Sequence, residues 1–127
     1  MDKTLLVSME LEQGSQILRI LDEAGLKIKV TLWVVLDEYG DWRLLLCSRR
    51  FDELGLGGAI DLVNRALATA GFPIEDKPPI LILPMSDPFV RSLRHIFGKT
   101  SNVEGMRIGG QQIGNRWVED GYAYRIS

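Results

Sequence analysis

Apolar positions along the chain fall into blocks of different period, and the periods predict the elements. From Asp2 to Ala24, residues Leu5, Leu6, Met9, Ile17, Ile20, Leu21 and Ala24 share one side of a 3.6-residue helix that Gly25 stops. Leu5, Val7, Met9 and Leu11 also alternate as a strand would, with Gly14-Ser15 as a break, but the helical template matches the longer window. On that helix Val7, Leu11 and Leu18 form a second apolar stripe, which makes them candidate contacts for a dimer or another partner. Lys27–Leu36 then alternates as a strand, with Ile28, Val30, Leu32, Val34 and Leu36 on one face. Asp37–Asp41 is turn chemistry, and Trp42–Arg50 returns as a strand that is apolar on both faces, hence central in its sheet.

A helix follows Asp52–Gly58, with Leu56, Ile60, Val63, Leu67 and Ala70 as its core stripe and Gly71 as its stop. Ile80–Leu83 is a short, wholly apolar strand between prolines, so Trp42–Leu83 reads as a crossover unit with parallel strands. Asp87 is an N-cap and Pro88 the first residue of a helix ended by Gly98, with Phe89, Leu93, Ile96 and Phe97 as its buried stripe. The Gly-rich remainder, Val103–Ser127, predicts two or three antiparallel strands, with Tyr122, Tyr124 and Ile126 sharing a face. The expected fold is a single α+β domain over residues 1–127 in the order α-β-β-α-β-α-β-β, a mixed sheet with helices packed on it.

Composition narrows the class. The chain has 127 residues, 46% hydrophobic and 25% charged, a soluble globular balance that excludes disordered and disulfide-stapled classes. No apolar run approaches the ~18 residues of a membrane span, so a cytoplasmic location without membrane contact is expected. One Cys and one His complete no Cys/His metal site, and no cofactor, no metal and no catalytic residue is expected.

Charge adds the functional signal. Met1–Pro88 carries a net −5 and Phe89–Ser127 a net +3, and ten of the fifteen cations are Arg, the side chain suited to bidentate phosphate contact. The predicted hairpin and crossover bring Lys27, Lys29, Arg49 and Arg50 to one sheet edge, and with them the helix start at Ser86-Asp87. Arg91, Arg94 and His95 lie on one helix face with Lys99 beyond, and Ser101 and Asn102 follow as phosphate hydrogen-bonders. A solvated edge and a helix dipole offset by its last turn are the plain accounts of these cations. Gly55-Leu56-Gly57-Gly58 departs from the dinucleotide fingerprint, with Ile60 where its third Gly would stand, and reads as loop and cap.

These features predict a small non-enzymatic binding or regulatory module whose basic, Arg-rich surface meets nucleic acid or an acidic protein, with a homodimer through the first helix doubling that surface. One alternative is a nuclease-like enzyme holding a divalent ion on Asp37, Glu38 and Asp41. Against it, Asp41-Trp42-Arg43 puts Arg where a Lys would assist the water. Another is a pure protein–protein adaptor.

Overall fold

In the computed structural model, which describes Leu6, residues 8–100 and residues 102–127, three helices pack on two faces of a five-stranded sheet. The elements are α1 (Ser8–Glu23), β1 (Val30–Leu36), β2 (Trp42–Cys47), α2 (Arg49–Thr69), β3 (Ile80–Ile82), α3 (Pro88–Phe97), β4 (Gln111–Ile113) and β5 (Arg116–Ile126), with one 3₁₀ turn at Ile74–Asp76. Strand order is β3-β2-β1-β5-β4. β2 and β3 are parallel and every other pair is antiparallel, so the sheet is mixed and the domain is α+β, in the element order that the periodicity predicts.

The central strand β1 is buried along its whole length because both of its faces are covered. Val30, Leu32, Val34 and Leu36 pack with Leu45, Cys47, Leu81 and the α3 residues Phe89, Val90 and Leu93. Trp33, Val35, Leu44 and Leu46 pack on the other side with Ile17 and Leu21 of α1 and Phe51, Ala59, Val63 and Leu67 of α2. α3 has the bounds that its caps predict: Asp87 accepts from Phe89 N at 2.9 Å, Pro88 sits at the first position, and Gly98 closes the helix.

Several expectations are corrected by tertiary packing. β2 ends at Cys47, not Arg50, because Ser48 caps α2 and Arg49 and Arg50 are its first turn. β1 begins at Val30. Lys27 has left-handed backbone (φ 51°), and Ile28 therefore packs with the α1/α2 side rather than with Val30 and Leu32. Gly55 (φ 76°) interrupts α2, which rotates Leu56 and Ile60 outward, 61% and 43% exposed, while Phe51 and Ala59 take the core places. Ala70 is the exposed C-cap residue of α2. Met9 of α1 and Ala24 just beyond it are exposed, while Gly14 is a buried position within the helix, as the helical template expects. Ile96 is exposed, with Val90 in its stead. In β5 the register passes from Thr31↔Arg125 to Leu32↔Ala123, leaving Tyr124 as the extra residue of a bulge. Parity flips there, so Ala123 and Ile126 share the α3 face while Tyr122 and Tyr124 face α1 and α2.

Tyr124 is held by that second layer. Its hydroxyl donates to Leu11 O at 2.5 Å and accepts from Trp33 Nε1 at 3.0 Å, and burial pushes its pKa up to about 12. Leu11 and Leu18 are half-buried against this same layer; Val7 lies outside the described residues. Among the described residues, no helix is long and apolar enough to cross a membrane.

Candidate anion-binding site

The N-terminus of α2 is built by one serine. Ser48 leaves β2 in extended backbone, accepts from Arg50 N at 3.2 Å as N-cap, and donates its own hydroxyl to Leu26 O at 2.6 Å. That second bond ties the start of α2 to the loop after α1. Lys29 is fixed beside it, its amide donating to Cys47 O at 2.9 Å and its carbonyl accepting from Ser127 N at 2.9 Å. Sheet edge, loop and helix start thus enclose a cavity of about 520 Å³ lined by Lys27, Lys29, Arg49, Arg50, Ser48 and Glu53, among others.

Electrostatics make this cluster unusual. The first turn of a helix carries partial positive charge, and a cation placed there is disfavoured by about 0.3–1 kcal/mol. Arg49 and Arg50 occupy that turn, with two lysines facing it. The acid of the same turn, Asp52, points elsewhere, its carboxylate accepting from Met85 N at 3.2 and 3.3 Å. Glu53 lines the cavity, yet none of the four cations forms an ion pair with a described side chain. An anion at this point would offset both the mutual repulsion and the dipole.

The other sequence candidates are distributed differently. The α3 start does not join the four cations: Asp87 meets Arg116 at 3.5 Å, and Arg116 also pairs with Glu38 of the β1–β2 turn. Ser86 lines a separate cavity with Phe51, Asp52 and Leu56. Arg91, Arg94 and His95 line an open hollow of about 660 Å³ on α3, with Lys99 exposed beyond them. Arg94 and His95 stand in the last turn, where cations complement the dipole, so this group has a structural account that the α2 group lacks. The two basic regions meet across one residue. Ser127 donates from N and Oγ to Lys29 O, and a main-chain oxygen of Ser127 accepts from Arg94 Nε at 2.9 Å. Ser101 lies outside the described residues, and Asn102 caps its own turn by accepting from Glu104 N.

Two acids of the β1–β2 turn are paired: Asp41 with Arg43 at 3.1 Å, where Arg43 also lies 4.0 Å from the centre of the Tyr39 ring, and Glu38 with Arg116 of β5. Among the described residues, no three His, Cys, Asp or Glu side chains gather as a metal site would need. Cys47 is buried, and burial pushes its thiol far above the usual range. The site residues that sequence reasoning missed are Ser48 and Glu53. Part of their signal was present: Ser48 is a cap residue type and Asp52 falls in the first turn, but Phe51 stands where a capping box has Glu or Gln, and an unbroken apolar run into Cys47 favours a longer strand.

Comparison with known proteins finds no family, no curated protein and no solved structure that matches this chain.

Proposed function

We propose that the protein is a non-enzymatic binding module that takes a phosphate group of a phosphate-bearing partner, the backbone of a nucleic acid first, in the cavity at the start of α2. One observation carries the reading: four cations crowd a helix N-terminus, where the dipole opposes them, without an ion-pair partner among the described residues. Two of the four are Arg, whose planar fork suits phosphate oxygens, and the Ser48 cap presents the first turn to the cavity. The Arg91/Arg94 hollow, joined through Ser127, extends the positive surface along which a polyanion could continue.

The test is fluorescence anisotropy of a labelled single-stranded oligonucleotide across a salt series. Each phosphate contact contributes about −0.7 to the slope of log K against log salt for single strands. Arg49→Gln with Arg50→Gln should therefore weaken binding and flatten the slope by about 1.4. Arg65→Gln, a cation outside both basic regions, should leave the slope unchanged. Binding that is indifferent to Arg49 and Arg50 defeats the proposal. Competition by polyglutamate as strong as by the oligonucleotide would reassign the partner to an acidic protein.

A further inference from the structure

β3 is an edge strand, and its open side is self-complementary. Leu44 N donates to Pro79 O at 2.9 Å, and the parallel register Leu44↔Ile80, Leu45↔Leu81, Leu46↔Ile82 continues from there. In such a ladder the N–H and C=O of Leu81 face β2, while those of Ile80 and Ile82 point away from the sheet. No described strand lies on that side. Pro78 and Pro79 before the strand and Pro84 after it cannot donate, so the donors of the open edge are limited to the amides of Ile80 and Ile82.

Beside this edge the surface is apolar. Ile80 and Ile82 are half-buried, and Leu56, Ile60 and Ile74 are three of the eight exposed large apolar residues among those described. Ile74 is 83% exposed. Two cavities of about 420 Å³ each line up along the strand and share Ile82, one reaching Ile60 and Ile74 and the other Leu56. The break at Gly55 turns Leu56 toward this surface, and Gly57 presents bare backbone to open space. Such a concentration beside an unpaired edge marks an interface.

The geometry points to a second copy of this chain as the occupant, paired antiparallel through β3 with the two-fold axis at Leu81. With Leu81 opposite its own copy, Ile80 and the partner's Ile82 exchange both hydrogen bonds, and so do Ile82 and the partner's Ile80. Four bonds then use every open donor on both edges. A disordered peptide would gain the same few bonds while losing the conformational freedom of its whole length. A second copy arrives with its strand ordered, its length matched by the same prolines, and its apolar residues in register with the same cavities. Charge also fits. Asp61 paired with Arg65 at 3.1 Å, Lys77 donating to Asn64 at 2.5 Å and Asp52 in the second cavity put two carboxylates and two cations along this flank, a mixed rim that does not repel its own copy. None of the four basic-site cations lines either cavity, so the dimer leaves that site open.

Sedimentation velocity on the full chain, from micromolar to near-millimolar, reads the mass, and amide hydrogen exchange over the same range reads the strand. The expected result is a reversible rise from one chain to two, with slowed exchange at Ile80 and Ile82 as the dimer forms. Leu56→Asp with Ile74→Asp, both at exposed positions, should abolish the rise and the slowing while the melting temperature of the dilute monomer stays put. A monomer throughout overturns the inference. So does a dimer that survives the double variant, or one in which these two amides exchange as fast as in the monomer.

Discussion

Replacing Gly14 by Ala separates a packed helix from an exposed one. On an exposed helix the change would stabilise the protein by about 1 kcal/mol, because Ala loses less backbone entropy than Gly and is the better helix former. Here a methyl at Gly14 would sit 2.8 Å from Trp33 Nε1 and closer still to the Tyr124 hydroxyl, so α1 or the two aromatic rings must move. Overpacking of this kind costs roughly 1–3 kcal/mol. The movement also strains the relay from Trp33 Nε1 through the Tyr124 hydroxyl to Leu11 O, in which each bond contributes about 1 kcal/mol. The propensity gain offsets part of this, leaving a net destabilisation of about 1–3 kcal/mol and a melting temperature lower by roughly 3–10 °C. Urea unfolding followed by tryptophan fluorescence reads the change directly, because Trp33 is in the contact. The decisive comparison is a double-mutant cycle with Tyr124→Phe, which removes the atom the methyl meets first. The pair should cost less than the sum of its parts by about 1 kcal/mol. A stabilised Gly14→Ala variant, or strictly additive costs, would refute this packing of α1 on the sheet.

Other substitutions probe the remaining layers. Asp87→Ala removes the α3 cap and one of the two carboxylates on Arg116, and should cost about 2 kcal/mol in urea unfolding; a loss below about 0.5 would deny both contacts. The Thr31 hydroxyl is buried with no hydrogen-bond partner among the described residues, so Thr31→Val should stabilise the protein by about 1 kcal/mol, where a well-bonded threonine would lose stability instead. Cys47 should resist Ellman's reagent at pH 8 in the folded state and react at once in denaturant; rapid labelling of the native protein would contradict its burial. The folded Tyr124 phenol ionises near pH 12 against about 10 when unfolded, so the unfolded state loses its proton first and stability falls from pH 10 upward. Tyr124→Phe should flatten that stretch of the stability profile, and an unchanged slope would assign it to other groups.

How far the chain could be read depends on the range of the interaction concerned. α3 was legible to the residue because its bounds are set by neighbours in sequence: the Asp87 carboxylate reaches an amide two residues on, Pro88 fits only a first turn, and Gly98 closes the last. The gathering of Lys27, Lys29, Arg49 and Arg50 was also legible, since hairpin partners run in opposite directions and the start of one strand must meet the end of the next. Their setting was not. Placing Arg49 and Arg50 in a helix depends on Ser48 bonding Leu26 O, a contact across 22 residues that no local pattern announces.

The order and type of the elements, the two-sided burial of the central strands and the uneven charge lie in the sequence itself, because periodicity and capping are short-range properties of covalent neighbours. Tertiary structure decided which face each residue took. A single bulge at Tyr124, a left-handed Lys27 and a broken helix at Gly55 each reverse or rotate the side chains around them. Their positions are chosen by packing between segments that meet only in the folded chain. The same long-range packing turned Arg49 and Arg50 from the end of a strand into the positively charged mouth of a helix, and left Leu56, Ile60 and Ile74 beside an unpaired strand.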